Sequence, residues 1–336
     1  MGSPLTHRSM TDEGSCIDLL TITASEAKRS LFLLMLGLVV FTASVHTLGA
    51  AEITATCLPK CESLEHLAGS AAMDNIRQFG QDASERIPST RDAAAKIAAL
   101  NGYFFHDLGF RSDEGLEGEA NLLPGPVIDN RRGYCVGLAV VYILLARQLD
   151  LPITAVATPS HIFVRYQTSG ARINIELLNG GRNWDDAWYA RIYKVSPYSI
   201  RNGVYLRNLN EKELLAYIYS NLGVLHSRVG DFLSSHQLYR AALRESSKIP
   251  VAHYNLGNDS LLVGRYKEAV REFTQALRLD PTDLWSMNNR GLALCRLGKK
   301  RKALIDFQSA LTQDPAFADA EKNLADADCE TDSEHR

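Results

Sequence analysis

The sequence predicts two units of different class: an α+β domain in which one helix packs on an antiparallel sheet, then an all-α solenoid. Two observations lead there. A cysteine, Cys135, opens a stretch that is apolar almost all round, Tyr134 to Leu149. Runs rich in β-branched and aromatic residues follow it, Pro152 to Thr158 and His161 to Tyr166. Continuous apolarity over a helical length marks a helix buried in a core, and short β-branched runs around a turn mark strands. Farther on, glycines recur at a spacing of 34 residues, a repeat of helical-hairpin size.

The first unit is expected over residues 61–208. From Cys61 to Phe110 the apolar residues Leu64, Leu67, Ile76 and Phe79, then the alanine-rich run from Ala93 to Leu108, keep helical spacing. Gly109 to Pro126 is rich in glycine and acidic residues and reads as a loop, either a lid before Cys135 or an ordinary connection. Gln167 to Ala171 turns the chain from the second strand into the third, Arg172 to Leu178. Gly180 to Asn208 carries Trp184, Trp188 and several tyrosines without a period and closes the unit.

Asn210 with Glu213 forms a capping box and starts the second unit, expected over 210–327. Gly223, Gly257 and Gly291 recur in register, as do Gly230, Gly264 and Gly298, Tyr239, Phe273 and Phe307, and Ala242, Ala276 and Ala310. The units run about 216–249, 250–283 and 284–317, with Pro281 and Pro315 ending two of them. A capping helix follows to Ala327, and residues 328–336 form a disordered acidic tail. Ser235 departs from the pattern, where the other units have Ala269 and Ala303. This array resembles the tetratricopeptide repeat. By that register Tyr217, Tyr254, Asn258, Trp285, Asn288 and Arg296 would line a concave groove for a protein or peptide, unless they pack on the next helix instead. The basic positions of the chaperone-tail clamp are not reproduced, so that ligand is not expected.

Composition narrows the function. With 46% hydrophobic and 22% charged residues in 336, the chain folds rather than staying disordered. A net charge of −3 gives no basic footprint for nucleic acid, and the one basic run, Lys299 to Lys302, falls on a repeat turn. Leu31 to Ala43 is apolar, preceded by Lys28 and Arg29 and followed by Gly49, Ala50 and Ala51. Residues 1–51 therefore read as a signal peptide cleaved near Ala51, with a translation start as far downstream as Met10, or else as a membrane anchor through 31–51. Either way the protein is expected to be exported, to the periplasm. Five cysteines follow that point. Cys57 and Cys61 are spaced to bridge, and Cys295 reads as a buried thiol in a repeat helix.

Cys135 stands where the first-turn N–H groups of a helix create positive potential, which favours a thiolate and an oxyanion. Strand alternation groups His161 with Phe163 and Arg165, and Arg172 with Asn174 and Glu176. An antiparallel pairing across the turn sets His161 roughly opposite Glu176, whose carboxylate would orient the imidazole. No paired cysteine or histidine spacing accompanies Cys135 and His161, so no metal is expected, and no glycine-rich loop calls for a cofactor.

Leu100 to Gly181 resembles the transglutaminase-like superfamily, with its papain-like Cys, His, Asp core, and especially a bacterial branch with "RRG" before the helix and "NGG" after the last strand. Here those are Arg131 to Gly133 and Asn179 to Gly181, and "FHDLGF" (Phe105 to Phe110) also fits. The resemblance implies Cys135 as nucleophile, His161 as general base and acid, and Glu176 as orienting carboxylate where the superfamily usually has aspartate. Asn174 is the alternative third member. It implies a cysteine hydrolase or acyltransferase acting on an amide of a protein or peptide through a thioester, with the repeats recruiting a protein. The alternative is a non-catalytic scaffold, since some members of this branch lack the cysteine.

Overall fold

A computed structural model describes residues 61–113 and 118–326. The apolar segment 31–51, Cys57 and the tail 328–336 lie outside the described residues. Among those described, no helix is long and apolar enough to cross a membrane.

The first unit opens with helices α1 (Leu64–Ala68), α2 (Ser70–Arg86) and α3 (Ala93–Asn101), the last running into a π-helical stretch, Gly102–Asp107. The described part of the segment expected as a loop holds more regular structure than its composition implies. It contains strand β1 (Arg111–Ser112), a 3-10 turn (Glu119–Asn121) and the start of helix α4 (Pro124–Asn130), and Leu122, Leu123 and Pro124 are buried. "PGP" reads as a breaker, yet both prolines fall in the first turn of α4, where N–H groups have no intrahelical partner anyway. With Leu122 and Leu123 in the core, this part of the segment is a wall of the domain and not a lid.

Arg131 ends α4 in the left-handed region, at φ 56°. Its guanidinium lies 4.5 Å from the Phe79 ring centroid and 4.9 Å from that of Phe110, contacts that hold the unusual backbone in place. Strand β2 (Arg132–Gly133) then pairs in parallel with β1. Helix α5 (Cys135–Gln148) follows, with every residue from Cys135 to Ala146 buried, as its unbroken apolarity demands.

Strands β3 (Ile153–Ala157), β4 (Ile162–Gln167) and β5 (Arg172–Ile175) form an antiparallel sheet in chain order, packed against α5. The register differs from expectation. Arg165 pairs with Asn174 and Val164 with Ile175, so continuing the ladder sets Phe163, not His161, across from Glu176. His161 sits two residues along on the same face, a diagonal neighbour. The aperiodic segment after β5 holds two short helices, α6 (Asp186–Ile192) and α7 (Pro197–Arg201).

The second unit is a row of antiparallel helix pairs: α8 (Glu211–Arg228) with α9 (Phe232–Glu245), α10 (Pro250–Leu262) with α11 (Tyr266–Leu279), and α12 (Leu284–Arg296) with α13 (Lys300–Gln313). Helix α14 (Ala318–Ala325) covers the end. The recurring residues have a common mechanical reason. A Cβ added to Gly223, Gly257 or Gly291 would lie within 2.8 Å of the ring of Tyr239, Phe273 or Phe307, so each glycine is the socket for the aromatic of its paired helix. Gly230, Gly264 and Gly298 take φ of 80°, 76° and 69° at the hairpin turns.

The two units share one apolar core that runs from Leu64 through α5 and the sheet to Leu214, Leu215, Ile218 and Leu222 of α8, and on to Ala252. Polar contacts reinforce the seam: Glu211 accepts from the Leu64 backbone N–H at 2.8 Å and pairs with Arg147 at 2.8 Å. Cys61 is buried, and its carbonyl accepts from the Tyr219 hydroxyl. Cys295, expected as a buried thiol, is half-buried and disulfide-bonded.

Candidate functional site

Cys135 is the first residue of α5, and its N-cap, Tyr134, supplies no side-chain hydrogen bond to the helix start. The first-turn N–H groups are thus not taken by an oxygen of the capping side chain, which suits them to a developing oxyanion. The backbone before the cysteine is set from behind. Tyr134 N–H donates to the Asn121 carbonyl at 2.9 Å, and a Cβ on Gly137 would meet that carbonyl oxygen at 2.3 Å. The glycine lets the 3-10 turn press on the helix start.

His161 closes the turn between β3 and β4, its carbonyl accepting from Thr158 N–H at 2.8 Å. Its Nε2 lies 2.8 Å from Glu176 Oε2, and the ring stacks on Tyr193 with centroids 4.8 Å apart. Glu176 is the tightest-held carboxylate of the site. Oε2 also accepts from the Tyr189 hydroxyl at 3.1 Å, and Oε1 accepts from Leu178 N–H at 3.1 Å. Its backbone is locked by the "NGG" turn: Gly181 N–H donates to the Glu176 carbonyl at 2.8 Å, and Glu176 N–H to that of Arg182. Gly180 and Gly181 both have positive φ, and Asn101 Nδ2 donates to the Gly181 carbonyl. That is the physical content of the motif.

With Glu176 Oε2 as the acceptor, His161 Nε2 is the donor of this bond, and Nδ1 is the ring nitrogen on the side away from the carboxylate. The structure thus brings His161 and Glu176 together despite the shifted register, because the diagonal spacing suits a side chain as long as glutamate. Asn174, the alternative third member, does not face the histidine. Its Oδ1 accepts from Arg165 Nε at 2.7 Å and its Nδ2 donates to Asp186 and the Trp184 carbonyl. Cys135 is 5% exposed and His161 1%.

Residues that sequence reasoning missed come from α6 and its C-cap. Tyr189 and Tyr193, one turn apart, back the carboxylate and the imidazole, and Tyr189 stacks on Phe163 with centroids 3.8 Å apart. Burial first, and the Glu176 charge second, hold the Tyr189 phenol far above its usual range, so it remains a donor. The segment has no period to read, and its one usable signal is the four-residue spacing of the two tyrosines. At the start of α6, Asp186 joins two arginines, Arg165 at 2.6 Å and Arg172 at 2.6 Å. Burial pulls the fully enclosed Arg165 guanidinium down to about 10. Beside this cluster opens a cavity of about 610 Å³ lined by Arg172, Asn183, Asp185, Trp184 and Trp188.

The groove expected in the repeats is largely filled. Tyr217, Tyr254, Asn258 and Asn288 are buried. Asn289 donates to Asn258 at 2.7 Å and to the Tyr254 hydroxyl at 3.3 Å, while Asn323 of the capping helix donates to Asn288 at 2.8 Å. Tyr217 belongs to the core shared with the first unit. Trp285 is half-buried, edge-on to Phe317, and Arg296 is exposed. Packing between repeats and the capping helix therefore claims three of the six side chains, and the core shared with the first unit claims a fourth.

Comparison with known proteins agrees with this architecture. Residues 70–216 match the transglutaminase-like superfamily, and residues 250–283 and 272–305 match the tetratricopeptide repeat. The chain carries a transglutaminase-like domain followed by tetratricopeptide repeats. A UPF0162 protein of Xylella fastidiosa strain Temecula1 is 35% identical over 92 residues, covering 27% of this chain and 32% of that protein. A UPF0162 protein of Pseudomonas aeruginosa is 25% identical over 177 residues, 52% of this chain and 60% of that one. The chain thus matches between about a third and three-fifths of the length of these relatives. Among solved structures, the first tetratricopeptide domain of Spaghetti (RPAP3), bound to the HSP90 peptide SRMEEVD, aligns with 18% identity and a TM-score of 0.34. It covers 35% of this chain and 93% of that chain.

Proposed function

We propose that the transglutaminase-like domain is a cysteine hydrolase or acyltransferase acting on an amide of a protein or peptide, and that the repeats recruit a protein partner. The observation that carries this reading is the buried His161–Glu176 hydrogen bond at 2.8 Å, with a cysteine opening the helix packed against the same sheet. His161 Nδ1 takes the Cys135 proton, and the thiolate attacks the amide carbonyl carbon. The tetrahedral oxyanion is met by N–H groups at the start of α5. The C–N bond breaks as the imidazolium returns a proton to the leaving amine, leaving a thioester. Water, deprotonated by His161, then attacks the acyl carbon and the C–S bond breaks; an amine in place of water gives transfer. Export, supported by the apolar segment 31–51, is part of the same reading.

The near-complete burial of Cys135 and His161 favours a second reading, a scaffold that binds peptide without turnover. The two are separated by the rate of iodoacetamide labelling at Cys135 as a function of pH, resolved by peptide mass spectrometry, in the wild type and in His161→Ala. Burial slows the reagent equally at all pH, so the profile and not the absolute rate is diagnostic. A labelling limb well below the ordinary thiol pKa of about 8.5 that disappears in His161→Ala is expected. A single thiol limb, unchanged by the substitution, would leave the scaffold.

A further inference from the structure

Helix α6 contributes a second donor to the carboxylate that orients the histidine. Tyr189 O–H and His161 Nε2 converge on the same oxygen, Glu176 Oε2, at 3.1 and 2.8 Å. Both residues and the carboxylate are almost completely buried, so bulk water does not reach them to replace a lost donor. The tyrosine is itself fixed from three sides. Its ring stacks on Phe163 at 3.8 Å, the Trp188 ring meets it edge-on at 5.1 Å, and the start of its helix is tied by Asp186 to Arg165, Arg172 and Asn174.

Resting on the catalytic reading above, we infer that Tyr189 is a positioning residue. Its hydroxyl holds the Glu176 carboxylate in the orientation in which Oε2 accepts from His161 Nε2, and thereby keeps the His161 proton on Nε2 and Nδ1 directed to the thiol. A buried carboxylate oxygen held by two donors has a single favourable position; with one donor fewer it can rotate away from the ring. A carboxylate turned away no longer fixes the imidazole in the tautomer and orientation that take the thiol proton, nor supports the imidazolium that results. The charged and titratable groups around Glu176 include His161 from the turn before β4 and Tyr189 from α6, with Arg165 of β4 and Tyr193 at the C-cap of α6 acting on Tyr189; Cys135 opens α5, which packs against the same sheet. Of these, His161 and Tyr189 are the two whose side chains bond Oε2 directly.

The test is a double-mutant cycle on the full chain, with Tyr189→Phe, Glu176→Gln and the pair, read as the pH profile of iodoacetamide labelling at Cys135. Tyr189→Phe keeps the ring and its stack on Phe163 and removes only the hydroxyl. Its low-pH limb is expected to move up by about one pH unit, a roughly fivefold loss at the wild-type midpoint that approaches about tenfold below it, with rates converging where the thiol ionises unaided. Glu176→Gln should lose the limb outright, and adding Tyr189→Phe to it should change nothing further, because the hydroxyl acts through the carboxylate.

A uniform drop at every pH in Tyr189→Phe, or equal effects of that substitution with and without Glu176, would make the tyrosine merely structural and overturn the inference. Thermal unfolding of each variant identifies any that has lost its fold; in that event Tyr189→Trp, which restores an N–H donor, should recover the limb if the inference holds and not otherwise. If the wild type itself shows no His161-dependent limb, it is the catalytic reading that fails, an outcome separate from the two above.

Discussion

Asp259 offers the sharpest stability prediction. It lies in α10 between the first two repeats, fully buried, and accepts from the Ser227 hydroxyl at 2.6 Å and from the Ser235 hydroxyl. Burial outweighs both hydrogen bonds and pushes its carboxyl up to about 6, from an ordinary value of 3.8. A raised acid favours the protonated fold. Below about pH 4 both folded and unfolded chains hold the proton and there is no penalty. Between 4 and 6 the unfolded chain releases it first, so stability falls as pH rises, and above 6 the whole penalty is present. The gap between the folded and unfolded values is worth about 3 kcal/mol at that limit. Asp259→Asn keeps the size and an acceptor for one serine while removing the charge, so it should stabilise the protein by roughly 1–3 kcal/mol at pH 7.5. The gain should shrink toward zero at pH 4. Urea unfolding of wild type and variant over pH 4 to 8 measures the difference, in which all other titrating groups cancel. A pH-independent difference, or an Asn variant less stable than the wild type at pH 7.5 but not at pH 4, would refute the argument.

Two further outcomes follow from packing. Gly257→Ala drives a Cβ to 2.8 Å from the Phe273 ring and should cost about 1–3 kcal/mol of overpacking, seen as a lowered melting temperature; adding Phe273→Leu should recover part of the loss. Asp186→Ala strips the counter-charge from the buried Arg165. Since Asp186 is itself about a third exposed, the cost should be about 2–4 kcal/mol in denaturant unfolding, with Arg165→Met in the same chain restoring most of it.

Much of the fold is legible because it is written in neighbours along the chain. The Asn210 and Glu213 capping box forms with both of its hydrogen bonds, and the apolar run after Cys135 becomes the fully buried α5. The 34-residue recurrences become glycine sockets for aromatics. Even the exception is informative: Ser235, where the other repeats have alanine, is the donor to the buried Asp259 carboxylate. The departures share a cause. "PGP" has the composition of a breaker, but its place in the first turn of α4 makes it a starter. Repeat register points the groove residues toward a free surface, but register says nothing about how closely the next helix comes, and asparagine ladders close over them.

By itself the sequence determined the cysteine helix and the strands after it, the capped start at Asn210, the period of the array, and the proximity in the chain of a cysteine helix, a histidine and a carboxylate. These follow from propensity, periodicity and spacing, which act over a few residues. The tertiary structure alone decided the two-residue offset that makes His161 a diagonal partner of Glu176, the choice of Glu176 over Asn174, the placing of Tyr189 and Tyr193 behind them, and the merging of both units into one core through α8. Such outcomes depend on which surfaces, distant in sequence, bury each other and on which buried polar groups then find partners, and no local pattern encodes that competition.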